Sequence, residues 1–436
     1  MSTILGSLRR LKQRWRLTQE ARRTQHWCRR ARRLVRQPSA GGRVLVLVSG
    51  RFGSIGDEAM VLSARAGASR QGVAHATLVS YGSDEPWPLP PGYDRVLNLS
   101  RRFSSDFWST CADWLQALHD ATHFYIIGAD VMDGHYSPYE CRQRVVFARM
   151  AHAAGLRTVV LGFSFNRAPH PLAVAALASL PPSVKLFARD PLSLERLRTA
   201  LKRPVDLSAD IAFLLEPAAD TPLLDDLRPW LAGERAAGRL AVGVNASVLA
   251  AAAGMCEQEG RPLAMAWAAG LAAFAEKRPS VSYLLIPHDY RRAPGLPNDH
   301  DLAEAIAAAL PPDVRAHCRV VPQPAHAPEI KTLTSHLDLV LTGRMHLAIA
   351  AIGSGTPAGG VVYQDKFEGL FQHLGLPPLC LDPARLADPQ AVCAFLVELA
   401  RQQAQYTAII RANLPRIHEL SAANFAAAGP PIAGDT

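Results

Sequence analysis

Two doubly wound, Rossmann-like α/β domains facing a cleft are the architecture this 436-residue sequence predicts. Three observations carry the expectation. Continuous apolar runs of the kind buried in parallel sheets alternate with helical stretches, the pattern of consecutive βαβ units. The chain is too long for one ordinary core. The alternation also lapses over residues 217–239, rich in Pro, Asp and Arg, and then restarts. The expected organisation is a basic arm and linker at 1–42, an amino-terminal α/β domain at 43–216, a connection at 217–239, a carboxyl-terminal α/β domain at 240–384, and a helix with a loose tail at 385–436.

The first series opens with Arg43–Ser49 (RVLVLVS) and continues through Ala76–Tyr81, His123–Ile127, Thr158–Gly162 and Val184–Ala188. Helical segments are expected at Ser105–Ala121, Arg142–Ala154, Pro171–Leu180 and Pro191–Ala200. The second series runs through Leu240–Asn245, Ser282–Pro287, Cys318–Val321, Leu337–Thr342 and Gly360–Tyr363, with helices at Met265–Lys277 and Asp299–Leu310. Pro389–Leu414 is a final helical region.

Composition, 49% hydrophobic and 19% charged, is that of a folded globular chain. The net charge of +9 is unevenly spread. Residues 1–37 hold twelve Arg or Lys and one acid, Glu20, and the rest of the chain is close to neutral. That first stretch reads as a basic amphipathic helix with Leu5, Leu8, Leu11 and Trp15 on one face, suited to an anionic membrane surface or to packing on protein. Gln37–Gly42 breaks it. No basic groove with interleaved aromatic residues marks the body, so nucleic acid is not an expected partner. No apolar run is long enough to span a membrane, and arginines interrupt the amino terminus where a secretory signal would need an apolar core. The expected location is cytoplasmic, peripheral on the inner face of the cell membrane if the arm binds there. The seven cysteines are scattered without a C-x-x-C pair, and no histidine spacing fits a metal site, so neither a disulfide framework nor a bound metal is expected.

The most informative stretch is Leu341-Thr342-Gly343-Arg344-Met345-His346. Arg344 and His346 fall at the carboxyl end of an apolar strand, where a helix begins, and open α/β sheets bind ligands at that edge. A guanidinium fork grips carboxylate or phosphate, and an imidazole moves a proton near neutral pH. Gly50–Met60 is a second strand-to-helix loop. Gly53, Ser54 and Gly56 permit close approach and Asp57 stands at the helix start, but the spacing is neither G-x-G-x-x-G nor a P-loop.

These loops, together with others, make the chain resemble the polysaccharide pyruvyl transferase family. The residues that carry the resemblance are FGSIGDEAM at 52–60, IIGADVMDG at 126–134, ARDPLSLERL at 188–197, SADIAFLL at 208–215, VGVN at 242–245, LLIPHDY at 284–290 and LTGRMHLAIAAIGSGTPAGGVVYQDKFEGL at 341–370. The resemblance implies a GT-B-like fold and transfer of a pyruvyl group from phosphoenolpyruvate to sugar hydroxyls of a cell-surface polysaccharide or its precursor, as a cyclic ketal. It implies no cofactor beyond that donor, and a glycan acceptor, lipid-linked or otherwise. Two loops depart from the family's pattern. Ala129 and Asp130 stand where glycines are usual, and Gly162–Asn166 lacks a glycine that often follows. By the resemblance both face the acceptor.

By the same resemblance Arg344 and Arg189, one from each domain, bind the donor, with the backbone of Met345 adding an N–H. His346 is the acid that protonates the methylene carbon of the enol. Asp57 and His288 both remain open as the base for the attacking hydroxyl. From its place after a strand, Lys366 either balances phosphate charge or is an exposed loop lysine; Asp130 is an acceptor contact or a loop carboxylate, and Asp210 is read as a carboxylate that holds its own loop. A GT-B-type glycosyltransferase using a nucleotide sugar is the competing expectation. A non-catalytic assembly protein recruited through the basic arm is a third.

Overall fold

The computed structural model describes residues 2–81, 86–99, 107–248, 260–292, 296–362 and 366–426. Among them, seven strands form the first sheet: β1 (Arg43–Leu47), β2 (His75–Tyr81), β3 (Arg95–Leu99), β4 (His123–Ala129), β5 (Arg157–Phe163), β6 (Lys185–Ala188) and β7 (Asp206–Leu207). They lie in the order 3-2-1-4-5-6-7 and every pair is parallel. Six more form the second sheet: β8 (Leu240–Asn245), β9 (Val281–Leu285), β10 (Cys318–Val320), β11 (Leu339–Thr342), β12 (Ala358–Val361) and β13 (Cys380–Leu381). Their order is 10-9-8-11-12-13, again all parallel. The strands are buried on both faces because crossover helices cover them, which is why β1, β4 and β9 read as largely apolar runs.

Four departures from the sequence expectation have physical causes. The strand β3 (RVLNL) is an edge strand, half exposed, and lacks the continuous apolar signal of its neighbours. The strands β7 and β13 are two residues each, too short to show a period. Residues 217–239 are not a plain connection, because Pro222–Ala236 forms a helix capped by Thr221, whose side chain accepts from Leu224 N. Pro222 suits the first turn, and buried Leu224, Leu227 and Leu231 give the helix its inner face.

The fourth departure concerns the two ends of the chain. The amino-terminal helix spans Ser2–Arg32, and its later part is docked rather than free. Ala31 is fully buried in the first domain's core, with Trp27, Cys28 and Leu34 packed beside it. Glu20 pairs with Arg142, and Arg36 donates to the carbonyls of Ala154 at 3.1 Å and Gly155 at 3.2 Å, and to that of Ala121. The side chains of Leu5, Leu8 and Leu11 lie outside the described residues. At the other end, the expected single helical region is two helices, Pro389–Arg401 and Gln403–Ala426. The second returns to the first domain. Asn424 accepts from Gly162 N at 2.7 Å and donates to Ala209 O at 3.1 Å, and Phe425 meets Tyr125 edge-on at 5.5 Å. Gly67 makes room for Phe425, since a Cβ there would sit 2.5 Å from the ring.

The two domains are also joined directly along the cleft. Ile55 N donates to His288 O at 3.1 Å and Tyr290 N to Gly53 O at 2.7 Å. Glu58 accepts from Ala327 N at 2.9 Å and lies 2.8 Å from His326 Nδ1, so it caps a helix of the opposite domain.

Candidate active site

In both sheets the chain reverses its winding direction between two adjacent strands, β1 and β4 in the first and β8 and β11 in the second. Crevices outside the carboxyl ends of strands at such switch points are where open α/β sheets hold ligands. Here the two crevices face each other and enclose one cavity of about 360 Å³. Ser54, Gly56, Asp57, Asp130, Arg189, His288, Arg344, Met345, His346 and Lys366 all line it. Of the site residues read from the sequence, Gly53 alone does not. It has φ of 106°, open only to glycine at low cost, and a Cβ there would sit 3.0 Å from the Arg291 side chain. Gly53 therefore serves the site by letting Arg291 lie against the loop.

The loop after β1 is held rigidly. Ser54 caps helix Ile55–Arg70 by accepting from Asp57 N. Asp57 accepts from Ser49 Oγ at 2.7 Å, and buried Arg144 donates to Ser49 O at 2.7 Å. Trp87 donates to Gly50 O at 3.0 Å. The loop after β4 begins at Ala129 with φ of 43°, a left-handed backbone that a non-glycine residue adopts at a cost. That turn brings Asp130 into the cavity.

The cations are all engaged with carboxylates. Arg344 donates through Nε and Nη2 to Asp299 at 3.1 and 2.7 Å, and its Nη1 lies 3.0 Å from Asp289. Two of the five guanidinium N–H groups are thus hydrogen-bonded and Nη1 is ion-paired, so the open fork expected of Arg344 is partly taken. Arg189 donates to Ser164 Oγ at 2.7 Å and to Asp210 at 2.9 Å. Lys366 pairs with Asp130 and lies 3.3 Å from the Tyr136 hydroxyl. Burial pushes Asp130 up, but the charges of Lys366 and Arg189 outweigh it and hold the carboxylate below its ordinary range. Sequence reasoning missed Arg291. It lines the cavity, binds Asp289 at 2.9 and 2.6 Å, and reaches to 3.5 Å from Asp57. Its position three residues past the strand-end His288 in HDYR was the available signal.

The two histidines differ. His288 is 4% exposed, and neither ring nitrogen has a hydrogen-bond partner among the described residues. Burial, reinforced by the charges of His346 and Arg344, pushes it well below the ordinary histidine range, so it is neutral at pH 7. His346 presents Nε2 at 3.6 Å from Asp210, a close approach rather than a formed hydrogen bond. Asp210 does hold its loop, as expected, by accepting from Ala212 N at 2.9 Å. It also stands between Arg189 and His346. Burial raises it, but His346 and then Arg189 outweigh that and bring it down to about 2. Asp133 spends its oxygens on the backbone of His135 and Asn166. No group of three or more His, Cys, Asp or Glu side chains among the described residues is arranged to hold a metal.

The polysaccharide pyruvyl transferase family profile matches residues 55–365. No curated protein matches the sequence significantly. Among solved structures, the chain is similar to UDP-GlcNAc 2-epimerase from Neisseria meningitidis bound to UDP-GlcNAc, with TM-score 0.52 and 10% identity over 88% of this chain and 99% of that one. It is similar to MnaA of S. aureus with UDP, with TM-score 0.52 and 11% identity over 90% and 93%. A further UDP-N-acetylglucosamine 2-epimerase gives TM-score 0.54 and 11% identity over 88% and 94%. At such identities the likeness is one of fold, two Rossmann-like domains in the GT-B-like arrangement.

Proposed function

The chain belongs to the polysaccharide pyruvyl transferase family, and we propose that it moves the pyruvyl group of phosphoenolpyruvate onto sugar hydroxyls of a glycan, closing a cyclic ketal. One observation carries this reading: Arg189 and His346, from opposite domains, meet in a single small cavity with Arg344 beside them. The donor bears a carboxylate and a phosphate on the same carbon. The remaining N–H groups of Arg344 and Arg189, with Arg291 and Lys366, supply convergent charge for such a dianion. The start of helix Met345–Gly353 adds backbone N–H donors.

In the proposed reaction His346 gives a proton to the methylene carbon, and the carbon bearing the phosphate becomes oxocarbenium-like. A sugar hydroxyl attacks that carbon, and its proton passes to His288. A weak base suffices, because bonding to so electron-poor a carbon makes the hydroxyl strongly acidic. Asp57, engaged by Ser49 and Arg291, is the less available acceptor. The C–O bond to phosphate breaks, phosphate leaves, and a second hydroxyl closes the ring, its proton passing to the departing phosphate. The balance is donor plus diol giving ketal plus phosphate, with no metal or cofactor in any step.

The competing nucleotide-sugar reading rests on fold likeness. The carboxyl-terminal acids Asp289, after a strand, and Asp299, at a helix start, point against it, because they are committed to Arg291 and Arg344 rather than open to a ribose. Mass spectrometry of purified protein incubated with phosphoenolpyruvate and a panel of lipid-linked and nucleotide-linked glycans tests the two. The expected product is heavier by one pyruvate less one water. A product heavier by a sugar residue, formed from a nucleotide sugar instead, would replace this reading with the other.

We also infer an anionic membrane surface as the partner of the amino-terminal helix. Its inner face is docked, while Arg22, Arg23, Arg29, Arg30 and Arg33 are exposed and Trp15 is 64% exposed. No helix among the described residues is long and apolar enough to cross a membrane. Removal of residues 1–18, which stops short of the docked part, combined with replacement of exposed Arg22, Arg29 and Arg33 by Gln, is expected to abolish co-sedimentation with anionic vesicles. Unchanged recovery would refute the inference.

A further inference from the structure

The acid assigned to the reaction is carried by one domain and oriented by the other. His346 is the second residue of helix Met345–Gly353, in the carboxyl-terminal domain. Two residues of the amino-terminal domain confine its ring. On one side is Asp210, 2% exposed, with Oδ2 at 3.6 Å from Nε2. This carboxylate is anchored. Oδ1 accepts from Ala212 N at 2.9 Å, Oδ2 accepts from Arg189 at 2.9 Å, and the Asp210 carbonyl accepts from Ser421 Oγ at 2.9 Å. It cannot follow the imidazole, so the imidazole must come to it. On the other side is Gly56. A Cβ there would lie 2.5 Å from Nδ1, 2.6 Å from Cγ and 2.7 Å from Cβ of His346. Gly56 lies in the first turn of helix Ile55–Arg70 and has no left-handed backbone. Glycine is needed here for space and not for conformation.

We propose that Asp210 and Gly56 are positioning residues that fix the tautomer and plane of the His346 ring across the cleft. Nε2 is turned to Asp210, and Nδ1 is the nitrogen that delivers the proton to the donor. Nε2 is sealed from solvent and has no other acceptor among the described residues. The groups facing the ring are Asp210, with Arg189 behind it, from the amino-terminal domain and His288 and Arg344 from its own. Closing the cleft by a few tenths of an ångström turns the 3.6 Å approach into a hydrogen bond. The acid is therefore complete only when the domains are closed, which couples proton delivery to donor binding. This inference rests on the reading of His346 as the acid, and its test separates the two.

The test uses full-length protein labelled with 15N-histidine, with the His346 signals assigned by H346Q. In the wild type the ring is expected to carry its proton on Nε2. In D210N the new amide can donate to Nε2, so the proton is expected to move to Nδ1, as seen in the ring 15N shifts. The same variant should lose about 100-fold or more in kcat with little change in the KM for phosphoenolpyruvate. D210E should recover part of the loss. G56A should lower the melting temperature, since overpacking against the His346 ring outweighs the helix preference of alanine, and show a displaced His346 signal and a similar fall in kcat. Wild-type ring shifts and wild-type kcat in both D210N and G56A would overturn the inference. A wild type whose His346 shifts respond to D210N but which neither binds nor consumes phosphoenolpyruvate would keep the positioning and overturn the donor assignment instead.

Discussion

The two domains share one architecture and divide the chemistry unequally. Along the carboxyl ends of its strands the amino-terminal sheet brings to the cleft three acids, Asp57, Asp130 and Asp210, with Arg189. The carboxyl-terminal sheet presents His288, Arg291, Arg344, His346 and Lys366, with Asp289 and Asp299 binding the arginines from behind. Each acid of the first set faces a base of the second: Asp57 with Arg291 at 3.5 Å, Asp130 with Lys366, and Asp210 with His346 at 3.6 Å. The pairing teaches that this cleft is closed by charge, and that any anion entering it would compete with carboxylates already in place. The fold supplies two equal crevices, and the side chains at the strand ends decide which one binds the anion and which one faces the hydroxyl groups.

Breaking the cationic side should cost most. H346Q removes the proposed proton donor and is expected to lower kcat about 1,000-fold, measured as phosphate release. A fall of less than 10-fold would assign the proton to another group. R291A removes a charge-assisted contact worth about 1.5–3 kcal/mol, so the KM for phosphoenolpyruvate should rise roughly 10- to 100-fold with kcat less affected.

The third prediction concerns pH and stability. His123 and His373 are buried and pushed down to about 4, and His288 is pushed down further. Their folded forms bind protons less readily than the unfolded chain does. Their contribution is therefore fully present above about pH 6.5 and is lost as pH falls towards about 4. Asp210 and Asp289 are shifted downward in the folded state, so their loss comes only below the ordinary carboxylate range. The melting temperature should therefore drop between pH 6.5 and 4.5, and H373Q should flatten that drop. The smallest effect is expected at Ala129. Relief of its left-handed strain in A129G should stabilise the protein by up to about 1 kcal/mol in a denaturant titration. Destabilisation would mean that the Ala129 side chain contributes packing that outweighs the strain.

Much of this arrangement was legible in the sequence, for stateable reasons. Buried parallel strands such as RVLVLVS leave an unmistakable apolar run, and residues immediately after a strand end must lie at the ligand edge. That logic places Asp57, Arg189, His288, Arg344 and His346 at the ligand edge from the sequence alone. What was not legible depends on contacts between distant segments. Nothing in the sequence pairs Arg344 with Asp299, or sends Asp210 to His346. Arg291 reads as one of two adjacent arginines after a strand, and only the close approach of Gly53 and Gly50 shows that it turns inward. The docking of residues 20–36 was hidden by the density of arginines around Ala31 and Leu34, and the edge strand β3 by its half-exposed side chains.

The most direct measurement is calorimetric titration of phosphoenolpyruvate into the wild type and into R189K and R344K, which keep charge but lose the guanidinium fork. The account predicts saturable binding to the wild type and at least about 10-fold weaker binding to each variant while it remains folded. No binding to the wild type, or wild-type affinity in both variants, would contradict it.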